Sequence, residues 1–171
     1  KEKIEEKDLQ SEKASMAVSQ VSNMANNDIL GRKLPFSLEA EQSVIGSILI
    51  DPECFDNIAE IIKSEDFYLP EHEQIFYAMQ GMYSKSKTLD VVTLVDELVK
   101  EGVYQNNDTL NGYIKTIIQT VPSAANVVDY ANIVKDKSIL RQLIEAGEEI
   151  AEAAYAGDDE AEHLIEYAES K

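Results

Sequence analysis

The chain has 171 residues, 44% of them hydrophobic, enough to build the core of one ordinary domain with or without an appendage. Residues 1–33 hold six basic and six acidic residues, so the whole net charge of −18 falls on the remaining 138, which carry nine basic and twenty-seven acidic residues. Such a surface repels a polyphosphate and argues against direct nucleic-acid binding. The single cysteine, Cys54, rules out an intrachain disulfide, and no run approaches the 18 apolar residues of a membrane helix.

The first segment, KEKIEEKDLQSEK, mixes charges of both signs and lacks an apolar stretch, so it does not read as a secretory leader and the cytoplasm is the default compartment. Met16, Val18, Val21 and Met24-Ala25 recur at partly helical spacing before Asn26-Asn27 and Gly31. Residues 1–33 are therefore expected to be an extension and linker with a marginal helix.

A globular helical subdomain is predicted over residues 34–121. Ser37 is placed to cap a helix whose stripe is Leu38, Val44, Ile45, Ile48 and Leu49, with Gly46 admitting a second helix closely. Asp51-Pro52 signals a restart, an N-cap followed by proline at the first helical position, and predicts a second helix burying Phe55, Ile58, Ala59, Ile61 and Ile62. The connection SEDFYLPEHEQ leads to a third helix with Ile75, Phe76, Met79, Met82 and Tyr83. Asp90 caps a fourth with Val91, Leu94, Val95 and Leu98, ending at Gly102. A fifth carries Leu110, Tyr113, Ile114, Ile117 and Ile118 and ends before Pro122.

Residues 122–171 read as a helical hairpin. About thirty residues after Pro122-Ser123 keep helical spacing through Val127, Ala131, Val134, Leu140, Leu143, Ile144 and Ile150. Such a helix is roughly 45 Å long, more than a small domain needs to bury. Gly157-Asp158-Asp159 ends it and caps a shorter helix from Glu160 to Ser170. The fold class is all-α, a helical bundle followed by an antiparallel hairpin with apolar faces left for a partner.

Motifs for chemistry are sparse. No GxxxxGK[ST] phosphate loop and no GxSxG elbow is present. Glu160 and His163 make one ExxH, but His72 has Leu69 three residues before it, so the second half of a bundle di-metal site is missing. His72 is expected to pack or cap the third helix, His163 to face solvent, and Cys54 to be partly buried. The tyrosines lack the interleaved lysine and arginine of a base-stacking surface and read as core or interface residues. The residues alone support a non-catalytic interaction domain with no catalytic, cofactor or metal residues.

LPFSLEAEQSVIGSILID, SEDFYLPEHEQIFYAM, LDVVTLVDEL, VPSAANVVDYANIV and LRQLIEAGEEI, in that order, closely resemble successive blocks of the N-terminal domain of DnaB-type replicative DNA helicases. The resemblance runs from about Leu34 to the C-terminus. It implies a collar domain of a hexameric ring, hairpins pairing into a trimer of dimers, and docking of the C-terminal domain of a DnaG-type primase, with a helicase loader as a further partner. ATP and magnesium would belong to an absent motor domain, so this segment alone is expected neither to hydrolyse ATP nor to unwind DNA. Leu140, Leu143, Ile144, Gly147 and Ile150 are the residues expected to pair hairpins; Tyr113, Ile144 and Ile150 are those expected to meet primase. The other reading of the same residues is a stand-alone helical adaptor or loader-like protein that shares the fold without a motor.

Overall fold

The first helix, α1 (Leu38–Ile50), is the axis of the bundle. Ser37 caps it, its hydroxyl accepting from the Ala40 amide at 3.3 Å. Val44, Ile45 and Ile48 are fully buried, because α2 (Pro70–Ser84), α4 (Asn107–Thr120) and α5 (Val127–Ala156) all pack on α1. This computed structural model describes residues 33–100, 102, 107–157 and 160–171. The expectations for residues 1–32, for the loop around Tyr104 and for Asp158-Asp159 lie outside the described residues. Among those described, every regular element is a helix, so the fold is all-α.

Gly46 does what its place in the stripe predicts. A Cβ built there would lie 2.7 Å from a methyl of Val121, closer than carbon atoms tolerate, and a tight 3.2 Å from one of Ile117. The missing side chain is what lets α4 approach α1.

The restart at Asp51 is real, but the helix expected after it is not formed. Asp51 caps its own turn, accepting from the Glu53 amide at 3.2 Å, and Pro52–Asn57 then coil as a 3₁₀ segment followed by turns through Ile61. Asp56-Asn57 and the β-branched Ile58, Ile61 and Ile62 are poor helix formers, and the tighter coil still delivers Cys54, Phe55, Ile58 and Ile62 to the core. Ala59, expected inside, is exposed, and Ile61 is only half-buried. Burial also pushes the Cys54 thiol up to about 11, helped by the Asp51 carboxylate, which makes it unreactive.

A second 3₁₀ turn, Ser64–Asp66, leads into α2, which starts on Pro70 and buries His72, Ile75, Phe76, Ala78, Met79 and Met82. Phe55 stacks between Phe76 and Tyr83, and Phe67 closes on Phe76 at 4.8 Å. The third α-helix, α3 (Val91–Lys100), has the predicted cap: Asp90 Oδ1 accepts from the amides of Val92 and Thr93 at 2.8 and 3.0 Å. On α4, Leu110, Ile114 and Ile117 face inward.

A short 3₁₀ turn, Ala124–Asn126, opens α5, thirty residues long. Gly157 ends it with φ of +67°, a left-handed conformation that glycine adopts freely, and α6 (Ala161–Glu169) folds back. Only Val127, Ala131, Val134 and Ser138 of α5 are buried, so the helix belongs to the core for its first three turns and then overhangs it.

Two glycine substitutions should separate packing from propensity. Gly46→Ala is expected to lower unfolding stability by about 1–3 kcal/mol, because overpacking outweighs the roughly 1 kcal/mol that alanine gains in a helix. Gly81→Ala on α2, where an added Cβ meets nothing within 4 Å, should instead be neutral or stabilising by up to about 1 kcal/mol. Urea unfolding of both variants measures the contrast.

Candidate interaction surface

The overhang is held at a fixed place by one buried carboxylate. Asp66 is 1% exposed. Its oxygens accept from the Lys63 amide (2.8 Å), the Ser138 hydroxyl (2.7 Å) and Lys135 Nζ (3.0 Å to each oxygen). Arg141 completes the clamp, donating to the backbone oxygens of Asp66 (2.6 Å) and Pro35 (3.0 Å). Burial alone would push the Asp66 carboxyl up; the hydrogen bonds from Ser138, the Lys63 amide and Lys135, with the lysine charge, outweigh it and hold the group below its ordinary range. Burial lowers Arg141 from its usual value, while Glu41, Asp66 and Tyr68 favour its charged form. Its guanidinium also lies 5.4 Å above the Tyr68 ring, which stacks in turn on Phe36.

A second polar chain lies alongside. Glu41, 2% exposed, turns inward and accepts from the Tyr68 amide at 2.8 Å and the Leu69 amide at 3.4 Å, serving the entry to α2 rather than its own helix. Its Oε2 is 2.7 Å from His72 Nδ1, and His72 Nε2 is 2.6 Å from the Tyr113 hydroxyl, which accepts from Gln42 Nε2 at 3.4 Å. A carboxylate only accepts, so Nδ1 is the donor in the His72–Glu41 contact. Burial pushes the Tyr113 phenol up to about 12 despite the Gln42 contact, with Glu71 and Glu41 adding to the rise. Its buried centre, Glu41 and His72, acts as structural support: His72 packs at the start of α2 as expected.

The surface with chemistry to offer is the outer side of α5. At 3.6 residues per turn, Leu140, Leu143, Gly147 and Ala154 fall on the side opposite Val127, Ala131, Val134 and Ser138, with Ile144 and Ala151 along one edge. Leu143 is 64% exposed, Leu140 44% and Ile144 38%. Gly147 is exposed, and a Cβ there would touch nothing within 4 Å. The return helix leaves this stripe open: it lies along the side bearing half-buried Ala146, Glu149 and Ala153, where Tyr167 donates to Glu149 Oε2 at 3.3 Å and Lys171 pairs with the same carboxylate.

Four of the five residues expected to pair hairpins, Leu140, Leu143, Ile144 and Gly147, thus share the open stripe; Ile150 is half-covered at its other edge. Of the three expected to meet primase, Tyr113 stands apart. Its ring stacks on His72 and its hydroxyl points into the array between α1 and α2. Exposed Tyr155, Ile139 and Ile165 add apolar surface that the sequence reading assigned neither to hairpin pairing nor to primase. Nor did it name the clamp, although Lys135, Ser138 and Arg141 continue the 3–4 rhythm of the buried stripe. Among the described residues, no three His, Cys, Asp or Glu side chains could together hold a metal ion, and no helix is long and apolar enough to cross a membrane. His163 is exposed. A cavity of about 170 Å³ between α2 and α3, lined by Tyr77, Gly81, Ser84, Lys85 and Glu97 among others, is smaller than an ordinary ligand pocket.

A helical bundle crossed by one clamped helix that overhangs it and folds back defines the structural class. Residues 33–136 match the family described as the DnaB-like helicase N-terminal domain, and the chain belongs to that family. It is 36% identical over 140 residues to the replicative DNA helicase DnaB of Leifsonia xyli subsp. xyli, covering 82% of this chain and 30% of that protein. With the namesake of Mycobacterium leprae it shares 36% over 149 residues (86% and 24%), and with that of Geobacillus stearothermophilus 37% over 137 residues (80% and 30%). The chain thus spans less than a third of the curated relatives it matches. The crystal structure of the N-terminal domain of DnaB helicase from Mycobacterium tuberculosis superposes with a TM-score of 0.74 at 34% identity, covering 81% of this chain and 96% of that one. A DnaB-like replicative helicase whose structure was described with its interactions with primase shares the fold at a TM-score of 0.62 and 21% identity, covering 78% and 31%.

The clamp makes a signed prediction. Because the folded state depresses the Asp66 pKa, its stabilisation is complete above the unfolded value of about 4 and is lost as pH falls through the lower folded value. Asp66→Asn should therefore flatten the acid limb of a stability–pH curve below about pH 4. At pH 7, Asp66→Ala should cost about 2–4 kcal/mol, and amide exchange should rise first between Val134 and Gln142.

Proposed function

We propose that this chain is the N-terminal, non-catalytic part of a replicative DNA helicase, and that it assembles with further copies through the open stripe on α5. The observation that carries this is the stripe itself: Leu140, Leu143 and Ile144 remain exposed on a rigid helix, and Gly147 in its middle leaves room for another backbone. Glycine costs about 1 kcal/mol in a helix interior, and close approach by a neighbouring hairpin offsets that cost. Pairing of hairpins followed by closure of pairs into a six-membered collar is the assembly this reading favours. Strand separation, with its ATP and magnesium, is assigned to a separate motor domain, and the compartment is the cytoplasm.

The same surface is proposed to dock the C-terminal domain of a DnaG-type primase, with a helicase loader as a further partner. Ile144 and Ile150 flank the stripe and suit this role, while Tyr113 offers only its ring, since its hydroxyl is engaged inside the bundle. Direct nucleic-acid binding does not fit the charge of residues 34–171.

Leu143→Lys and Ile144→Lys test the reading. Both side chains reach solvent on the outer side of α5, so the melting temperature should stay within about 2 °C of wild type, as for surface changes generally. Self-association in sedimentation velocity, and capture of a primase C-terminal domain, should each weaken about tenfold or more, equivalent to 1.4 kcal/mol. Unchanged association and capture would refute the assignment. Fluorescence anisotropy with single-stranded DNA at physiological salt should show no measurable binding.

A further inference from the structure

We propose that the outer end of the hairpin, from Gly147 to Tyr155 on α5, docks a basic amphipathic helix of a different protein in preference to a second copy of this chain. The proposal rests on the reading above in one respect, that the outer side of α5 is a docking face.

Three small residues set the shape. Gly147, Ala151 and Ala154 continue the line of Leu140 along α5, and all three are exposed. No side chain larger than a methyl group stands on that line, so it forms a shallow trough. Half-buried Ile150 borders the trough on one side. Tyr155, 92% exposed, borders it on the other. Glu152 and Glu148, three and seven residues before Tyr155, stand on the same flank. A helix laid along the trough seats its large apolar side chains over the glycine and alanines. Its own flank then meets one aromatic ring and two carboxylates.

Charge decides what kind of helix that is. Residues 142–171 hold ten acidic residues and a single basic one, Lys171, so a net −9, half the charge of the whole chain, falls on thirty residues. Lys171 is committed to Glu149. Glu148 and Glu152 pair with no cation among the described residues. Lysine or arginine on an incoming helix can pair with both carboxylates and lie over the face of Tyr155.

A second copy lacks that complement. Turned antiparallel, it could lay Leu140 over Ala154, with the two helices crossing at Gly147. That arrangement sets Glu148 of one copy beside Glu148 of the other on the same flank, and brings −9 against −9. A basic helix removes this repulsion, and its docking excludes pairing through the same trough.

Two synthetic helical peptides of about eighteen residues serve as probes, both with leucine at every third and fourth position, one with lysine elsewhere and one with glutamate. Binding is read by fluorescence anisotropy on the full chain, and self-association by sedimentation velocity. The dissociation constant of the lysine peptide should rise about tenfold in Glu148→Lys/Glu152→Lys and about threefold in Tyr155→Ala. The charge-matched control is Glu145→Lys/Glu166→Lys. Glu145 lies on the opposite side of α5, and Glu166 on the side of α6 away from half-buried Leu164 and Ala168. The control should stay within about twofold of wild type. Salt raised from about 0.05 to 0.5 M should weaken peptide binding several-fold and leave self-association equal or stronger.

Equal binding of the two peptides overturns the proposal, as does a control variant that weakens binding as much as the flank variant, which would show general charge attraction only. Weaker self-association in Glu148→Lys/Glu152→Lys overturns it too, because the flank would then belong to an interface between copies. Self-association unchanged by Leu143→Lys, with the peptide results as expected, removes the assembly reading and leaves this one standing.

Discussion

Asp66 fixes where the longest helix leaves the bundle, and the consequences run outward from there. The part of α5 that reaches the core is thin in apolar material: two valines, an alanine and a serine. Burying a valine contributes about 1.5–3 kcal/mol, so that seam alone gives the helix little purchase and no unique register. The carboxylate supplies what the seam lacks. It takes Lys135 and Ser138 one turn apart, while Arg141 reaches back to the Asp66 carbonyl, so three side chains on successive turns meet one short loop. A slide or rotation of α5 by one residue would break all of these contacts and leave a buried charge unpaired, which is far costlier than losing one valine contact. A rigid overhang follows, and only a rigid overhang can present a stripe of side chains in a fixed arrangement.

The loop that carries Asp66 is itself held from the other side. Glu41 fastens the amides of Tyr68 and Leu69 and the His72 ring, tying the entry of α2 to α1, while His72 passes the connection to Tyr113 on α4. Between the two carboxylates, Phe67 points into the core and Tyr68 lies between Phe36 and Arg141. Residues 63–72 are therefore a junction through which α1, α2, α4 and α5 are all referenced to one another. Both carboxylates are buried, and both are engaged by several donors, the condition under which such groups specify a geometry rather than weaken it.

Local features were the legible part of this fold. Ser37 and Asp90 announce their caps by residue type and position, Gly157 announces the end of α5, and Gly46 marks a close approach because a glycine inside an apolar helical stripe has few other uses. The clamp was hidden because its partners are 69–75 residues apart in the chain, and no local spacing encodes that pairing. Glu41 was hidden for a related reason: the amides of Tyr68 and Leu69 that it serves are 27 and 28 residues away, and only the returning α2 brings them to it. The helix expected after Asp51-Pro52 failed where weak propensity met a core that needed only four side chains from that stretch. In the candidate surface, apolar periodicity identified Leu140, Leu143 and Ile144, but not which way they face. Facing is set by the clamp on the opposite side. Tyr113, chosen for its chemistry and position, was placed by its hydrogen bonds with the bundle.

The length of α6 explains why the stripe stays open in the subunit. Nine residues give a helix of about 14 Å, roughly half the overhang, and its polar end is committed to Glu149 through Tyr167 and Lys171. That pairing draws α6 towards the side of α5 bearing Ala146 and Ala153 and away from Leu140 and Leu143. A longer or differently anchored return helix could have covered the leucines and made the hairpin self-sufficient. As built, the two helices half-bury Ala146, Ala153, Leu164 and Ala168 and leave Leu140, Leu143, Ile144 and Ile165 exposed. Most of the large apolar groups thus lie outside, the reverse of what an independent hairpin needs, because they would have to be buried for it to stand alone. The hairpin therefore depends on the clamp for position, and its larger apolar groups stay exposed in the single subunit.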